Sequence, residues 1–251
     1  MQPSEIQHLL DRHLLKVEKP GRYVGGEYNS VHKDWESPEG KVAIAFPDIY
    51  DIGMSNLGTM ILYDQINSQP DMLAERAYCP WHDMEAVMRQ EGIPLYSLES
   101  KRAIREFDLL GISLPYEQLY TNVLNLIDLA GMPVKSADRD ETYPLIIAGG
   151  HACYNPEPMW QFIDAFVIGE GEEIIVEVAR IVGQMRGRPR EEQLRAIAGV
   201  QGMYVPRFYT PHYNPDGTVS EIVADPDLPK RVLKRIVPTL PKPFTRFLVP
   251  N

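Results

Sequence analysis

The chain has 251 residues, 44% of them hydrophobic, and a formal net charge of −10. That is apolar material for a full core in one large domain or a domain with an extension, and the acid excess argues against general nucleic-acid affinity. No apolar run approaches the roughly 20 residues of a membrane helix, and the charged N-terminus, MQPSEIQHLLDRHLLKVEKP, lacks a signal-peptide apolar region.

The expected location is therefore the cytoplasm, without a membrane partner. Only two cysteines occur, Cys79 and Cys153, far apart in sequence. That excludes a disulfide framework and an all-cysteine metal site within one chain.

Residues 1–40 read as an N-terminal arm. Ile6, Leu9, Leu10, His13 and Leu14 share one face of a short helix, and Gly21, Gly25 and Gly26 then break the chain. The tract 22–35, with Tyr23, Tyr28, His32, Lys33 and Trp35, reads as an arm packed on the domain surface. The first strand is 41–46, ended by Pro47, which cannot donate to a ladder. A loop leads to a helix over 56–68, apolar through Leu57, Met60, Ile61, Leu62 and Ile66. A second strand over 72–78 and a short helix over 83–90, closed by Gly92, follow.

The third strand is 107–114, FDLLGISL, and a helix over 121–130 comes next. The fourth and fifth strands are apolar runs with glycine turns: 145–148 before Gly149-Gly150, and 166–168 before Gly169-Glu170-Gly171-Glu172. Ile174, Val178, Ile181, Val182 and Met185 then recur at helical spacing. The alternation predicts an α/β fold with a doubly wound, five-stranded parallel sheet in the order 2-1-3-4-5, spanning 41–190. Residues 191–251 hold a C-terminal hairpin, 208–212 with 218–223 around Asn214-Pro215-Asp216-Gly217, and an extended tail. From Lys230 onward the tail carries six Lys or Arg and no acid, which leaves −16 on the rest, so it has an acidic body to dock on.

Ligands of open α/β sheets bind outside the carboxyl ends of the strands, where both glycine turns lie. Glycines let backbone approach a ligand, and a helix N-terminus offers free N–H groups. Glu170, Glu172 and Glu173 crowd the second turn. Carboxylates repel phosphates but accept from hydroxyls and amides, so the turn suits a neutral, hydroxyl- or amide-rich ligand. As a plain structural alternative, Glu172 and Glu173 complement the helix dipole. His151 and His82 belong to no metal-ligand pattern. Asp48 and Asp51 follow the first strand, where catalytic carboxylates often lie, or serve the turn itself. Tyr50, Met54, Tyr116, Met159 and Trp160 either wall an apolar ligand or pack in the core. No P-loop and no Gly-x-Ser-x-Gly elbow is present.

VAIAFPDIYDIGMSNLG, IPLYSLES, FDLLGISLPYE, IDLAGMP, IIAGGHACYNPEP and FVIGEGEE, in that order, resemble the N-terminal half of cobalamin-binding-type radical SAM proteins, over roughly residues 21–251. The resemblance implies a Rossmann-like (flavodoxin-like) domain holding cobalamin at the carboxyl edge. A radical SAM barrel with a [4Fe–4S] cluster and S-adenosylmethionine would follow it. Cofactor contacts would fall on Tyr50, Gly53, Ser113, Gly149, Gly150, His151, Gly169, Glu170, Gly171 and Glu172, with no catalytic or metal residue in this chain. There are two departures. No Asp-x-His-x-x-Gly follows Phe46, so cobalamin would sit without a protein lower-axial ligand, or the domain has lost cobalamin and serves as a scaffold. No Cys-x-x-x-Cys-x-x-Cys is present, so cluster and S-adenosylmethionine belong to a barrel supplied in cis or in trans. Alone, the chain is expected to be inactive. The remaining reading, a stand-alone enzyme, would use Asp48, Asp51 or His151.

Overall fold

The computed structural model describes residues 1–239 and Leu248. Helices α1 (Pro3–His13) and α2 (Gly21–Val24) precede strand β1 (Gly40–Phe46), followed by α3 (Tyr50–Gly53) and α4 (Leu57–Asn67). Then come β2 (Met72–Tyr78), α5 (His82–Glu91), β3 (Leu109–Ser113), α6 (Tyr120–Leu129), β4 (Leu145–Gly149) and β5 (Ala165–Val167). Helices α7 (Ile174–Gln184) and α8 (Arg190–Ala198), strand β6 (Met203–Tyr204) and a hairpin of β7 (Tyr209–Tyr213) and β8 (Val219–Ala224) complete the described elements.

The main sheet runs β2-β1-β3-β4-β5-β6, with β1 to β5 all parallel. This is the expected 2-1-3-4-5 order with one addition: β6 pairs antiparallel with β5, Phe166 against Tyr204 and Val167 against Met203. Two residues carry no readable period, so β6 is silent in the sequence.

Alternate strand residues feed two cores, as a pleated sheet requires. Ala43, Ala45, Leu110, Ile112, Ile146 and Phe166 face α1, α5 and α6, where Ile6, Met84 and Val123 are buried. Val42, Ile44, Leu109, Leu145, Ile147 and Val167 face α4, α7 and α8, with Tyr63, Val178 and Leu194. Beyond the expected boundary at residue 190, α8 buries Leu194 and Ile197 completely in the second core. At the other end, Ile6 and Leu10 of α1 are fully buried in the first core, and in the tract 22–35 Arg22 and Tyr23 are buried as well.

Edge strand β2 is closed by side chains. The Asn67 amide donates to Ala74 O and accepts from Ala74 N, both at 3.0 Å. Leu98 N donates to Arg76 O at 2.8 Å, and Glu99 accepts from Arg76 N at 2.8 Å. No ladder group of Ala74 or Arg76 is left to template another strand. The Arg76 guanidinium, 1% exposed, also binds Glu99 at 2.7 Å and Glu27 of the arm at 2.8 Å, which ties arm to sheet.

In the described part of the tail, one cation meets the acidic body. Arg235 pairs with Glu173 at 3.2 Å and Glu177 at 3.3 Å. Of the tail residues behind the expected docking, Lys242, Arg246, Pro241, Pro243 and Pro250 lie outside the described residues.

Candidate functional site: a glycine-walled cavity at the strand carboxyl ends

Toward the carboxyl ends, the α4/α7 face of the sheet runs out of side chains. β3 presents Leu109, then Gly111 and Ser113; β4 presents Leu145 and Ile147, then Gly149. Where large residues would meet the helices, the three small ones leave a gap. The gap is a cavity of about 380 Å³. Its floor includes Ile44, Gly111, Ile147 and Val167, and its helical walls are Gly58, Ile61 and Leu62 of α4 with Ile174 and Ile175 of α7. The Asn56 side chain fixes the start of α4 by accepting from Thr59 N at 2.9 Å. The mouth is formed by the two glycine turns.

Eight of the ten expected contact residues line this cavity: Ser113, Gly149, Gly150, His151, Gly169, Glu170, Gly171 and Glu172. Tyr50 and Gly53 do not. Tyr50 stacks edge-on against Tyr78, with ring centroids 5.4 Å apart, and its hydroxyl donates to Glu27 at 3.0 Å. Gly53 is a packing glycine, since a Cβ there would lie 2.5 Å from the Tyr78 ring. The residues missed were those inside elements, above all Gly58 and Gly111. A glycine within the buried run FDLLGISL was the available signal.

Two of the turn glycines answer to protein rather than ligand. At Gly150 (φ 122°) a Cβ would lie 2.5 Å from Leu114 O, and at Gly169 (φ 119°) 2.2 Å from Arg235 O. Gly171 differs, with Leu62 Cδ2 at an ordinary 3.4 Å.

The turn carboxylates also divide. Glu170 accepts from the tail amide of Val237, and Glu173 pairs with Arg235. Glu172 lines the cavity, and its Oε2 is buried without a hydrogen-bond partner among the described residues. The α7 N-terminus has no side-chain cap from Glu173. Among the described residues no Lys or Arg lines the cavity, so none of them neutralises a phosphate there at close range.

The other candidates are placed elsewhere. Asp48 accepts from Ile49 N at 2.7 Å, a turn role. Asp51 binds Arg22 and, at 3.0 Å, Lys19; these bonds, Arg22 first, hold its carboxyl down at about 2. Met54 and Met159 pack in the first core, while Tyr116 and Trp160 stand exposed. His82 opens α5 beside Trp81. Cys79 and Cys153 are buried free thiols, and burial pushes both up to about 12. Among the described residues no group of three or more His, Cys, Asp or Glu could hold a metal ion, and no helix is long and apolar enough to cross a membrane.

A mainly parallel α/β sheet with a cleft at its carboxyl edge defines the doubly wound α/β class. The profile of the family described as radical SAM proteins, N-terminal, matches residues 58–206, and the chain belongs to that family. An uncharacterized protein of Methanocaldococcus jannaschii is 25% identical over 140 residues, which are 55% of this chain and 26% of that protein. Among solved structures, the radical S-adenosylmethionine methyltransferase TsrM from Kitasatospora setae, with cobalamin and a [4Fe–4S] cluster bound, aligns at a TM-score of 0.44 and 14% identity. That alignment covers 82% of this chain and 30% of TsrM. TsrM with tryptophan substrate and the SAM analog aza-SAM aligns at 0.42 and 14%, covering 76% and 31%. The chain thus spans about a quarter to a third of the length of the proteins it matches.

Proposed function

We propose that this chain is the cofactor-holding N-terminal module of a radical SAM enzyme, and that its cavity receives the nucleotide end of cobalamin. The observation that carries this is the cavity itself. It is apolar and glycine-walled, and it opens at the strand carboxyl ends. About 380 Å³ suits an aromatic base with part of its sugar, not a whole corrinoid. The corrin ring would lie outside, over the mouth formed by the turns at Gly150 and Gly171. Loop residues 47–56 contain no histidine, so that loop would offer no imidazole to the cofactor.

In this reading Gly111, Ser113 and Gly149 make room, the α4 and α7 walls exclude water from the base, and the turns orient the ring system. Bound cobalamin would supply methyl-transfer or redox chemistry at cobalt, and this chain would hold it in place. The [4Fe–4S] cluster and S-adenosylmethionine are assigned to a radical SAM barrel, joined in cis or docked in trans. The proposed division is an arm over 1–40, an α/β unit carried past residue 190 through α8 and β6, and then the hairpin and tail leading toward the barrel.

Titrating hydroxocobalamin into the purified chain and following its visible spectrum tests the proposal. Saturable one-to-one binding, weakened in Gly171→Val, supports it. Gly150→Val is unsuitable, because its side chain would strike Leu114 backbone whether or not a ligand binds. Absence of binding would remove cobalamin and leave a docking scaffold.

A further inference from the structure

The sequence offers three glutamates at the second glycine turn as equivalents, and the structure separates them. Glu170 is occupied by the Val237 amide and Glu173 by the Arg235 guanidinium. Both serve the tail. Glu172 alone of the three lines the cavity while holding an oxygen, Oε2, that is buried and unpartnered among the described residues.

A buried acceptor without a donor is an unfavourable arrangement unless something else supplies the donor. If Glu172 served the helix dipole through a capping bond, its oxygens would meet α7 amides, and for Oε2 no such bond forms. Among the described tail cations, Arg235 is engaged by Glu173 and Glu177, and none bonds Glu172 Oε2. The rest of the lining is mainly Ile, Leu, Val and Gly, so no other described lining group reaches Oε2.

We infer that Glu172 is the specificity-determining residue of the cavity: its carboxylate accepts a hydrogen bond from a neutral donor on the bound ligand, a sugar hydroxyl or an amide N–H. The same carboxylate, with no lining Lys or Arg among the described residues to offset it, disfavours a free phosphate at that point. The site therefore selects a nucleoside over the bare base, which lacks the hydroxyl, and keeps a phosphate group away from Glu172. This inference rests on the cavity being the cobalamin site.

The test uses the full chain with four probes: hydroxocobalamin, 5,6-dimethylbenzimidazole, its riboside α-ribazole, and α-ribazole phosphate. Each is titrated against the unmodified chain, Glu172→Met, which removes both acceptor oxygens at similar volume, and Glu172→Gln, which keeps one neutral acceptor. A hydrogen bond to a charged acceptor corresponds to about 10- to 100-fold in affinity. The unmodified chain should prefer the riboside over the free base by that factor. Glu172→Met should lose the preference while binding the free base unchanged, and Glu172→Gln should fall between.

Thermal midpoints of the unliganded variants should fall by no more than about 2 °C, and Glu172→Met, which removes the unpaired acceptor, should raise the midpoint. Cobalamin binding with no preference for riboside over base, or equal loss of both in Glu172→Met, overturns the role of Glu172 and leaves the cobalamin site standing. Failure of every probe to bind the unmodified chain overturns both.

Discussion

Arg235 lies backbone against backbone on Gly169. Arg235 N donates to Ile168 O at 2.9 Å, Glu170 N donates to Arg235 O at 3.1 Å, and a Cβ on Gly169 would fall 2.2 Å from that oxygen. The tail thus continues the edge of β5 and clamps the turn that lines the cavity. Gly169→Ala should release this strap, since φ of 119° is also poor for a side chain. A loss of about 1–3 kcal/mol in local stability is expected. Limited trypsinolysis checks it: cleavage after Lys234 should accelerate about tenfold or more, because cleavage follows the open population. An unchanged rate would mean that the strap does not hold the tail.

Arg76 and Glu99 form a buried pair that is costly to break. Both side chains are essentially buried, at 2.7 Å, and burial raises the Glu99 pKa while Arg76 opposes that rise. Arg76→Met leaves Glu99 and Glu27 without their cation and should cost about 3–5 kcal/mol. In a domain of this size that lowers the thermal midpoint by roughly 6–20 °C. Asp128→Asn breaks an ion pair with Arg89 whose side chains are about half exposed, and should cost no more than about 0.5 kcal/mol. Calorimetry of the two variants tests the contrast, and similar small losses would contradict it.

What could be read from the sequence followed the strength of its periodic signals. The run 72–78 stands as β2 residue for residue, and the sheet order 2-1-3-4-5 follows from the alternation alone. Strand β6 has only two residues, and α8 opens with charge, REEQ, that masks Leu194 and Ile197. At the site, the turns were legible because glycine and glutamate are distinctive. Gly111 was not, because its meaning depends on which face of β3 it occupies and on what the helices opposite leave empty. Tyr50 and Gly53 follow the first strand as a ligand loop would, yet α3 turns them toward Tyr78 and the first core. Nor does composition tell which of three adjacent glutamates the tail will claim.

The buried thiols give a pH signature. In the fold Cys79 and Cys153 hold their protons up to about 12, against an ordinary value of 9.0. The folded chain therefore binds more protons than the unfolded chain between these values. This stabilisation is complete below pH 9 and is lost as pH rises toward 12. Lys101 runs the other way, since burial lowers it to about 8 and its contribution to stability grows as pH rises from there. Comparing the unmodified chain with Cys79→Ala cancels Lys101. The stability difference between them should shrink by roughly 1.4 kcal/mol per pH unit above pH 9. Urea midpoints at pH 8, 9.5 and 10.5 measure it, and a constant difference would contradict the account.

Gly111 carries the most direct test of the central claim, that the space above β3 is the ligand site. A Cβ at Gly111 meets nothing closer than Ile175 Cδ1 at 3.8 Å, and its strand backbone accepts a side chain. Gly111→Leu fills the floor of the cavity without striking backbone. It should stabilise the unliganded chain by about 0.5–2 kcal/mol, as cavity filling commonly does. The measurement is a hydroxocobalamin titration of the unmodified chain and Gly111→Leu side by side, with urea unfolding of both. Saturable binding to the unmodified chain and none to a Gly111→Leu chain of equal or greater stability is the predicted result. Equal binding by both chains would contradict it.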